Sequence, residues 1–260
     1  MHPDIQIIDS NASTVLQTGV CGYKSPARPG FPEKVEWLTR RFEEGLRLLT
    51  LVSKQDGTQG MIEYIPGEVC WRPVEASGYM LIHCLFVGFK KTYKHRGLAS
   101  QLIERCIAEA RNEKKRGVAV VTRKGAFMVG SDIFLKHDFQ VVDTAPSDFE
   151  LLALKFDPEA PSPQFKNNAD RLSEYSHGLT IIRANQCPYT VKNVQEIVDT
   201  AKQTFDITPR IVNVMSYQQA QRVPHAFGTF CIVYEGKVIA EHPISKTRFV
   251  NIMKKLQEKE

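Results

Sequence analysis

The chain has 260 residues, of which 42% are hydrophobic and 24% are charged. These fractions are close to those of average globular proteins and exclude a disordered, collagen-like or disulfide-framework class. Lysine and arginine number 34 against 29 aspartate and glutamate, which gives a net charge of +5. This excess is too small to indicate nucleic-acid binding, so we predict no nucleic-acid partner. The length is sufficient for two domains.

The sequence contains no run of about 18 apolar residues, so we expect no membrane-spanning helix and no membrane partner. The N-terminal segment MHPDIQIIDSN lacks the basic and apolar regions of a signal peptide. The six cysteines form no C-x-x-C pair and no zinc-ligand spacing, so no metal site is predicted. Together these features predict a cytoplasmic protein with reduced thiols.

The first 156 residues alternate between strand and helix patterns. After a short strand at 5–8, residues 34–45 place Val35, Leu38 and Phe42 at helical spacing. Asp56-Gly57 is a strong hairpin signal between two β-rich runs. A buried strand at 81–87 then precedes a basic loop and an amphipathic helix. The apolar stripe predicted for that helix consists of Leu98, Leu102, Ile103, Cys106, Ile107 and Ala110.

The rest of this half adds a strand, a short helix and two more strands. The predicted order, β-α-β-β-β-α-β-α-β-β, is that of an α/β (α+β) fold, a mixed sheet flanked by helices. Residues 157–177 are rich in proline and polar residues and predict a linker. From 178 to 260 the pattern restarts as β-α-β-α-β-β-α, which is a thioredoxin-like order. We therefore expect domains at 1–156 and 178–260.

The most informative segment is the basic loop Lys94-His95-Arg96-Gly97, which opens the amphipathic helix. The first turn of a helix presents unpaired backbone N–H groups and partial positive charge, so it suits an anion. Glycine at that point lets the backbone approach a phosphate without a Cβ in the way. The pattern predicts a pyrophosphate site, although a basic loop before a helix can also be a solvated cap.

This loop resembles the Gln/Arg-x-x-Gly-x-Gly/Ala signature of the GNAT acetyltransferases, with Lys94 at the first position. The order of elements over residues 1–156 fits the same family. The resemblance implies acetyl-CoA as co-substrate and an amine as acceptor. Strand residues 85–87 would face the pantetheine arm, and the amides of residues 95–100 would hold the pyrophosphate. The cofactor-binding residues so implied are Leu85, Phe86, Val87, Lys94, His95, Arg96, Gly97, Leu98, Ala99 and Ser100.

Acyl transfer calls for a base at the amine and an acid at the departing thiolate. The family's frequent tyrosine acid is replaced by Phe134, and the glycine of its closing motif by Asp138. Glu63, Glu68 and His83 are the candidate bases, of which we select Glu63 and His83 as catalytic. His83 could equally be a hydrogen-bonded core residue. Consecutive strand residues point to opposite faces, which predicts no nucleophilic pairing of Cys84 with His83 unless a bulge intervenes.

Four further residues fall in segments expected to flank the acceptor side of such a fold, namely Tyr23, Trp37, Trp71 and Arg72. An aromatic ring there could stack on a substrate, and packing in the core is the alternative. Of these we select Tyr23, Trp71 and Arg72 as acceptor-side candidates.

The second half contains a Cys187-Pro188 dipeptide between a strand and a helix. Proline favours the first helical position, which would place Cys187 at the N-cap, where the positive helix end lowers a thiol's pKa. Thr190 stands where a resolving cysteine would be, which excludes dithiol chemistry in this half. Cys187 is thus a candidate reactive thiol, a contact for a metal or thiol ligand, or a structural remnant.

Segments along the whole chain, including KVEWLTRRFEEG (34–45), WRPV (71–74) and FCIVYEGKVIAEHPIS (230–245), look like the YoaP-like acetyltransferases. In that family a GNAT domain precedes a YoaP domain with a Cys-Pro-Tyr turn. The resemblance implies an N-acetyltransferase that acts by direct attack in a ternary complex. A non-catalytic acyl-CoA-binding protein, or a thiol- or metal-handling protein that uses Cys187, is the alternative.

Overall fold

The structure is a computed structural model and describes residues 4–23, 25–88 and 90–258. The chain divides into two compact units. The N-terminal unit comprises Met1–Cys70 and Val74–Lys166, and the C-terminal unit comprises Trp71–Pro73 and Asn167–Glu260. The segment predicted as a linker is therefore shared, with residues 157–166 in the first unit and 167–177 in the second.

The N-terminal unit is built on a seven-stranded mixed sheet in the order β1-β2-β3-β5-β6-β8-β7. Its neighbouring strands are antiparallel except β5 and β6, which are parallel. Two short strands, β4 and β9, pair separately. The elements are β1 (Ile5–Ser10), α1 (Val15–Thr18), α2 (Phe31–Glu43), β2 (Arg47–Ser53), β3 (Gly57–Pro66), β4 (Val74–Glu75), β5 (Tyr79–Val87), α3 (Leu98–Asn112), β6 (Gly117–Thr122), α4 (Asp132–Leu135), β7 (Gln140–Ala145), β8 (Phe149–Lys155) and β9 (Gln164–Phe165).

The main core lies between α3 and one face of this sheet. Its apolar stripe is close to the predicted one, since five of the six residues are buried and Ile107 is partly buried. Strand residues of alternating position, such as Ile62 and Tyr64 on β3, meet this stripe. Each Å² of apolar surface buried in this way contributes about 25 cal/mol to stability.

Helix α2 turns a different face inward from the one predicted. Leu38 is buried as expected, but Val35 and Phe42 are only half-buried. Lys34 and Trp37 are buried instead. A charged residue is not counted as part of an apolar stripe. The buried face predicted from the apolar residues is therefore rotated about the helix axis relative to the observed one.

The C-terminal unit has a four-stranded sheet in the order β11-β10-β12-β13. Strands β10 and β11 are parallel, whereas β12 is antiparallel to both β10 and β13. The order β-α-β-α-β-β-α matches the prediction. The elements are β10 (Leu179–Arg183), α5 (Tyr189–Phe205), β11 (Arg210–Asn213), α6 (Tyr217–Ala220), β12 (Phe230–Tyr234), β13 (Lys237–Ala240) and α7 (Lys246–Gln257).

Short 3₁₀ helices complete the description, at Gly67–Val69, Lys91–Tyr93 and Ala169–Tyr175. A mixed sheet with helices, followed by a second small sheet, confirms the predicted α/β class. The longest helix, α5, has 17 residues. Across the described ranges, no helix combines the length and apolar character needed to cross a lipid bilayer.

Gly117 tests the packing of the central strands. A Cβ at this residue would overlap the Leu154 carbonyl oxygen and lie 2.7 Å from Cε1 of Tyr79. We expect Gly117→Ala to lower the free energy of unfolding by about 2 kcal/mol, because backbone and a buried ring must shift. Gly130→Ala is the control, since its Cβ would meet nothing within 4 Å. Urea denaturation of both variants checks this, and equal stabilities would contradict the close packing.

Candidate active site

Strands β5 and β6 separate part of the way along their length. Their parallel pairing runs from Tyr79 with Gly117 to Ile82 with Val120 and ends there. Beyond it β5 continues to Val87, and β6 continues to Thr122 while pairing with β8 on its other edge. The parallel pairing with β6 therefore ends five residues before β5 does. Where two strands diverge in this way, an extended ligand that carries amides of its own can lie between them.

A β-bulge lies at the point of separation. On the β3 side, Glu63 pairs with Cys84, and the next pair is Tyr64 with Ile82, so His83 is an extra residue in β5. Ile82 and Leu85 both pack in the core beneath α3. Two residues between them, instead of one or three, place His83 and Cys84 on the opposite face. The expectation that these two side chains point apart is therefore overturned by the bulge.

Glu63, His83 and Lys34 form a buried polar cluster on this second face. Lys34 Nζ donates to Glu63 Oε2, and His83 Nδ1 lies 3.4 Å from Glu63 Oε1. The Lys34 ammonium is 4.2 Å from the centre of the Trp37 ring. That ring is in turn 6.3 Å from the His83 ring. The side chains of Glu63 and His83 have no exposed surface.

The electrostatic balance keeps Glu63 ionised. Burial alone would raise the pKa of its carboxyl, but the Lys34 charge and the bond to His83 outweigh burial and lower it from 4.5 to about 2. A carboxylate this stable is a weak base. It can still hold the His83 ring through Nδ1 and leave Nε2 as the basic atom.

Cys84 is a partly buried residue on the same face, and its thiol interacts with the Cys21 thiol. This bond, and burial after it, raise the pKa of Cys84 well above its usual value. The thiol is therefore held in its neutral form, which is a poor nucleophile. Cys84 and His83 share a face, but the chemistry of the pair does not favour acyl transfer through Cys84.

The basic loop reaches the helix with its donors exposed. Lys94, His95, Arg96 and Gly97 are all exposed, whereas Leu98 anchors the helix in the core. Gly97 caps α3 with φ +70°, and a Cβ placed there would meet nothing within 4 Å. The first bond of the helix runs from Gln101 N to Gly97 O. The amides before Gln101 thus lack intrahelical partners, as at any helix start.

The loop is fixed to the β2–β3 hairpin, whose turn the sequence predicted. Tyr93 Oη donates to Ser53 Oγ at 3.0 Å and to Asp56 Oδ2 at 2.8 Å. Lys90 Nζ lies 2.5 Å from the other carboxylate oxygen of Asp56. These contacts hold the loop at the end of β5, where the two strands separate.

Phe134 occupies the position at which the resembled family carries its acid. It is fully buried in α4 and packs edge-to-face on Phe139, with ring centres 5.5 Å apart. A phenyl ring donates no proton, and its surroundings are apolar. No acid is provided from this position.

The three predicted acceptor-side residues fall in different units. Tyr23 is buried in the N-terminal unit, with the Arg28 guanidinium 5.3 Å from its ring centre. Trp71 and Arg72 group with the C-terminal unit, and both are buried there. Glu68, the third candidate base, is exposed and accepts a bond from Gly78 N.

Cys187 is half-exposed and lies two residues before α5. Pro188 takes the N-cap position, so the predicted cap is displaced by one residue. Thr190 donates through Oγ1 and N to the Cys187 carbonyl, at 2.8 and 3.2 Å. Cys231 lies on β12 and is 1% exposed. In the described residues, no three or more histidine, cysteine or acidic side chains are grouped so as to hold a metal.

Sequence reasoning missed Lys34 and Thr122. Lys34 has a weak signal, since it lies one helical turn before Trp37 on the face that α2 buries. Thr122 lies where β6 has left β5, and its buried hydroxyl has no hydrogen-bond partner in the described part of the chain. A threonine at a strand end carries no pattern that would predict this.

Comparison with known proteins confirms the resemblance found in the sequence. Residues 210–251 match the family model described as YoaP-like. The chain is 29% identical over 226 residues to a protein of Bacillus subtilis (strain 168) named uncharacterized N-acetyltransferase YoaP. That alignment covers 86% of this chain and 88% of the relative.

Solved structures similar to this chain include several acetyltransferases of the GNAT family. A Brucella melitensis enzyme in complex with acetyl-CoA is 15% identical, covering 62% of this chain and 94% of its own, with a TM-score of 0.40. An N-acetyltransferase from Thermoplasma acidophilum in complex with coenzyme A is 16% identical, covering 58% and 99%, with a TM-score of 0.41.

Glu63 makes stability depend on pH in a defined direction. Its pKa is lower in the folded chain, so its contribution is complete above pH 4.5 and is lost as the pH falls toward 2. Glu63→Gln should remove this dependence. It should also cost about 3 kcal/mol at pH 7, because the buried Lys34 charge loses its counter-ion. Urea unfolding at several pH values measures both effects.

The matched control is Glu36→Gln on the exposed side of α2. Glu36 pairs with Arg40 at 2.5 Å, with both side chains more than half exposed. Its loss should change the free energy of unfolding by no more than about 0.5 kcal/mol. Equal effects of the two substitutions would show that Glu63 is not a buried, paired carboxylate.

Proposed function

We propose that this protein is an acyltransferase that moves an acetyl group from acetyl-CoA to an amine of a small molecule or peptide. The observation that carries the proposal is the divergence of β5 and β6 beside the Gly97-capped start of α3. An extended amide-bearing arm fits the first feature, and a diphosphate fits the second. The relative from Bacillus subtilis, named as an N-acetyltransferase, supports the same activity.

The cofactor is held by main-chain groups and basic side chains. The pantetheine amides lie along β5 at residues 85–87, beyond the end of its pairing with β6. The pyrophosphate lies on the amides of residues 95–100, where Gly97 leaves room. Lys94, His95 and Arg96 add positive charge around it, and their exposure fits a ligand that enters from solvent.

Transfer proceeds by direct attack in a ternary complex. The neutral amine nitrogen forms a bond to the thioester carbonyl carbon, and the carbon–sulfur bond then breaks. The proton lost by the amine passes to Nε2 of His83, which Glu63 and Lys34 hold in place. Because the His83 side chain has no exposed surface, a bridging water carries the proton to it.

The leaving thiolate needs little help in the absence of a tyrosine. A thiol is a much stronger acid than an alcohol, with a pKa of about 8.5 for cysteine, so a thiolate departs unprotonated more readily than an alkoxide. The proton reaches it from water or from the imidazolium. Phe134, buried against Phe139, donates no proton. The reaction therefore lacks acid catalysis from this position but can still proceed.

The same burial of Phe134 favours a second candidate, an acyl-CoA-binding protein without turnover. Release of CoA thiol from acetyl-CoA across a panel of amines separates the two. Amine-dependent release supports the transferase. Saturable binding of acetyl-CoA without release supports the binding protein.

The phosphate site is tested with a size-matched pair that differs in charge, Gly97→Asp and Gly97→Asn. Both side chains tolerate positive φ better than other residues do, and a Cβ at residue 97 would meet nothing within 4 Å. We expect the aspartate to weaken acetyl-CoA binding at least about tenfold more than the asparagine, because its charge repels the phosphates. Isothermal titration calorimetry measures both affinities. Equal affinities would place the phosphates elsewhere.

His83→Gln is expected to lower kcat/KM by about 10²- to 10⁴-fold with little change in acetyl-CoA affinity, since only the proton acceptor is removed. Cys84→Ala is the matched control from the neighbouring residue and should retain most activity. The reverse result, with Cys84 essential and His83 dispensable, would indicate a covalent acyl-cysteine route. Steady-state kinetics with the best amine provide the measurement.

A further inference from the structure

Arg72 belongs to the C-terminal unit although it lies far from the rest of that unit in sequence. Its Nη1 donates to Gln186 Oε1 at 3.1 Å, to Phe227 O at 2.7 Å and to Thr229 Oγ1 at 3.1 Å. The guanidinium lies 5.4 Å from the Phe227 ring centre, and the residue is 5% exposed. One charged group thus joins the segment before Cys187 to the segment before β12.

The backbone of Trp71–Pro73 also packs closely, against Gly228. A Cβ at Gly228 would lie 3.0 Å from Cδ of Pro73, 3.0 Å from the Trp71 carbonyl oxygen and 3.1 Å from Cα of Arg72. Gly228 has φ +81°, a conformation that other residues rarely adopt. Trp71 has no exposed surface. Because Gly228 has no side chain, Trp71–Pro73 can pack directly against its main chain.

We propose that Gln186 and Phe227–Thr229 form a recognition site for an arginine–proline peptide, and that Trp71–Pro73 of the same chain is its resident ligand. Four features define such a site: two side-chain acceptors, one carbonyl acceptor, an aromatic ring beside the guanidinium, and a glycine opposite the peptide backbone. The proposal is independent of acetyl transfer, because none of these residues lies in the N-terminal unit.

The chemistry selects arginine over lysine. A guanidinium is planar, stacks on an aromatic ring and directs its N–H groups in fixed directions. An ammonium at the same place would be a strongly hydrated point charge without the ring contact.

The test uses the full chain with Arg72→Ala and follows amide hydrogen exchange by mass spectrometry. Two reporter bonds lie in the site, from Ala184 N to Thr229 O and from Gly228 N to His225 O. Exchange in peptides covering these amides should accelerate about tenfold or more, as expected for loss of hydrogen bonds to a charged group. Arg40→Ala, which removes an exposed arginine from α2, is the control and should leave them unchanged.

The second arm adds the acetylated, amidated peptide Trp-Arg-Pro-Val at millimolar concentration to the Arg72→Ala chain. We expect it to restore protection at both reporters, and the same peptide with lysine in place of arginine to fail. Thr229→Val keeps Arg72 but removes one acceptor, and should accelerate exchange at these amides to a smaller extent. Unchanged exchange in Arg72→Ala, acceleration spread evenly over the chain, no rescue, or equal rescue by both peptides would overturn the proposal.

Discussion

The extra residue in β5 is the constraint on which the candidate site depends. With regular pairing, His83 and Cys84 would lie on opposite faces, and only one of them could approach Glu63. The bulge places both on the face where α2 supplies Lys34. The bulge also occurs where the pairing of β5 with β6 ends, so the polar cluster adjoins the point at which the two strands diverge. This single bulge thus places the proposed proton acceptor, His83, beside the proposed acetyl-CoA site.

Much of the fold could be predicted from local pattern. The stripe of α3, the hairpin turn at Asp56-Gly57 and the order of elements in the C-terminal unit all follow from spacing or turn chemistry that the neighbouring sequence contains. Strands β4 and β9 were not predicted. Each has two residues, and their pairing joins positions about 90 residues apart, so no periodicity can reveal them.

The site was predicted less completely, for a physical reason. Glu63, His83 and the Gly97 loop were candidates because their residue types suit the chemistry. Lys34 was missed because a buried cation is stable only beside its counter-ion, and that partner lies 29 residues further along the chain. The contacts of Arg72 with Gln186 and Thr229 could not be predicted, because these partners lie more than 110 residues away. Long-range ion and hydrogen-bond pairing leaves no trace in local sequence.

The two tryptophans of the chain are divided between the two units, with Trp37 in the first and Trp71 in the second, and both are buried. Intrinsic fluorescence therefore has one emitter in each unit. In a Trp71→Phe chain the remaining indole lies beside the Lys34 ammonium and the His83 ring. Its emission would respond to the charge on that imidazole. The protein thus carries an optical probe of its own polar cluster, without a dye or label.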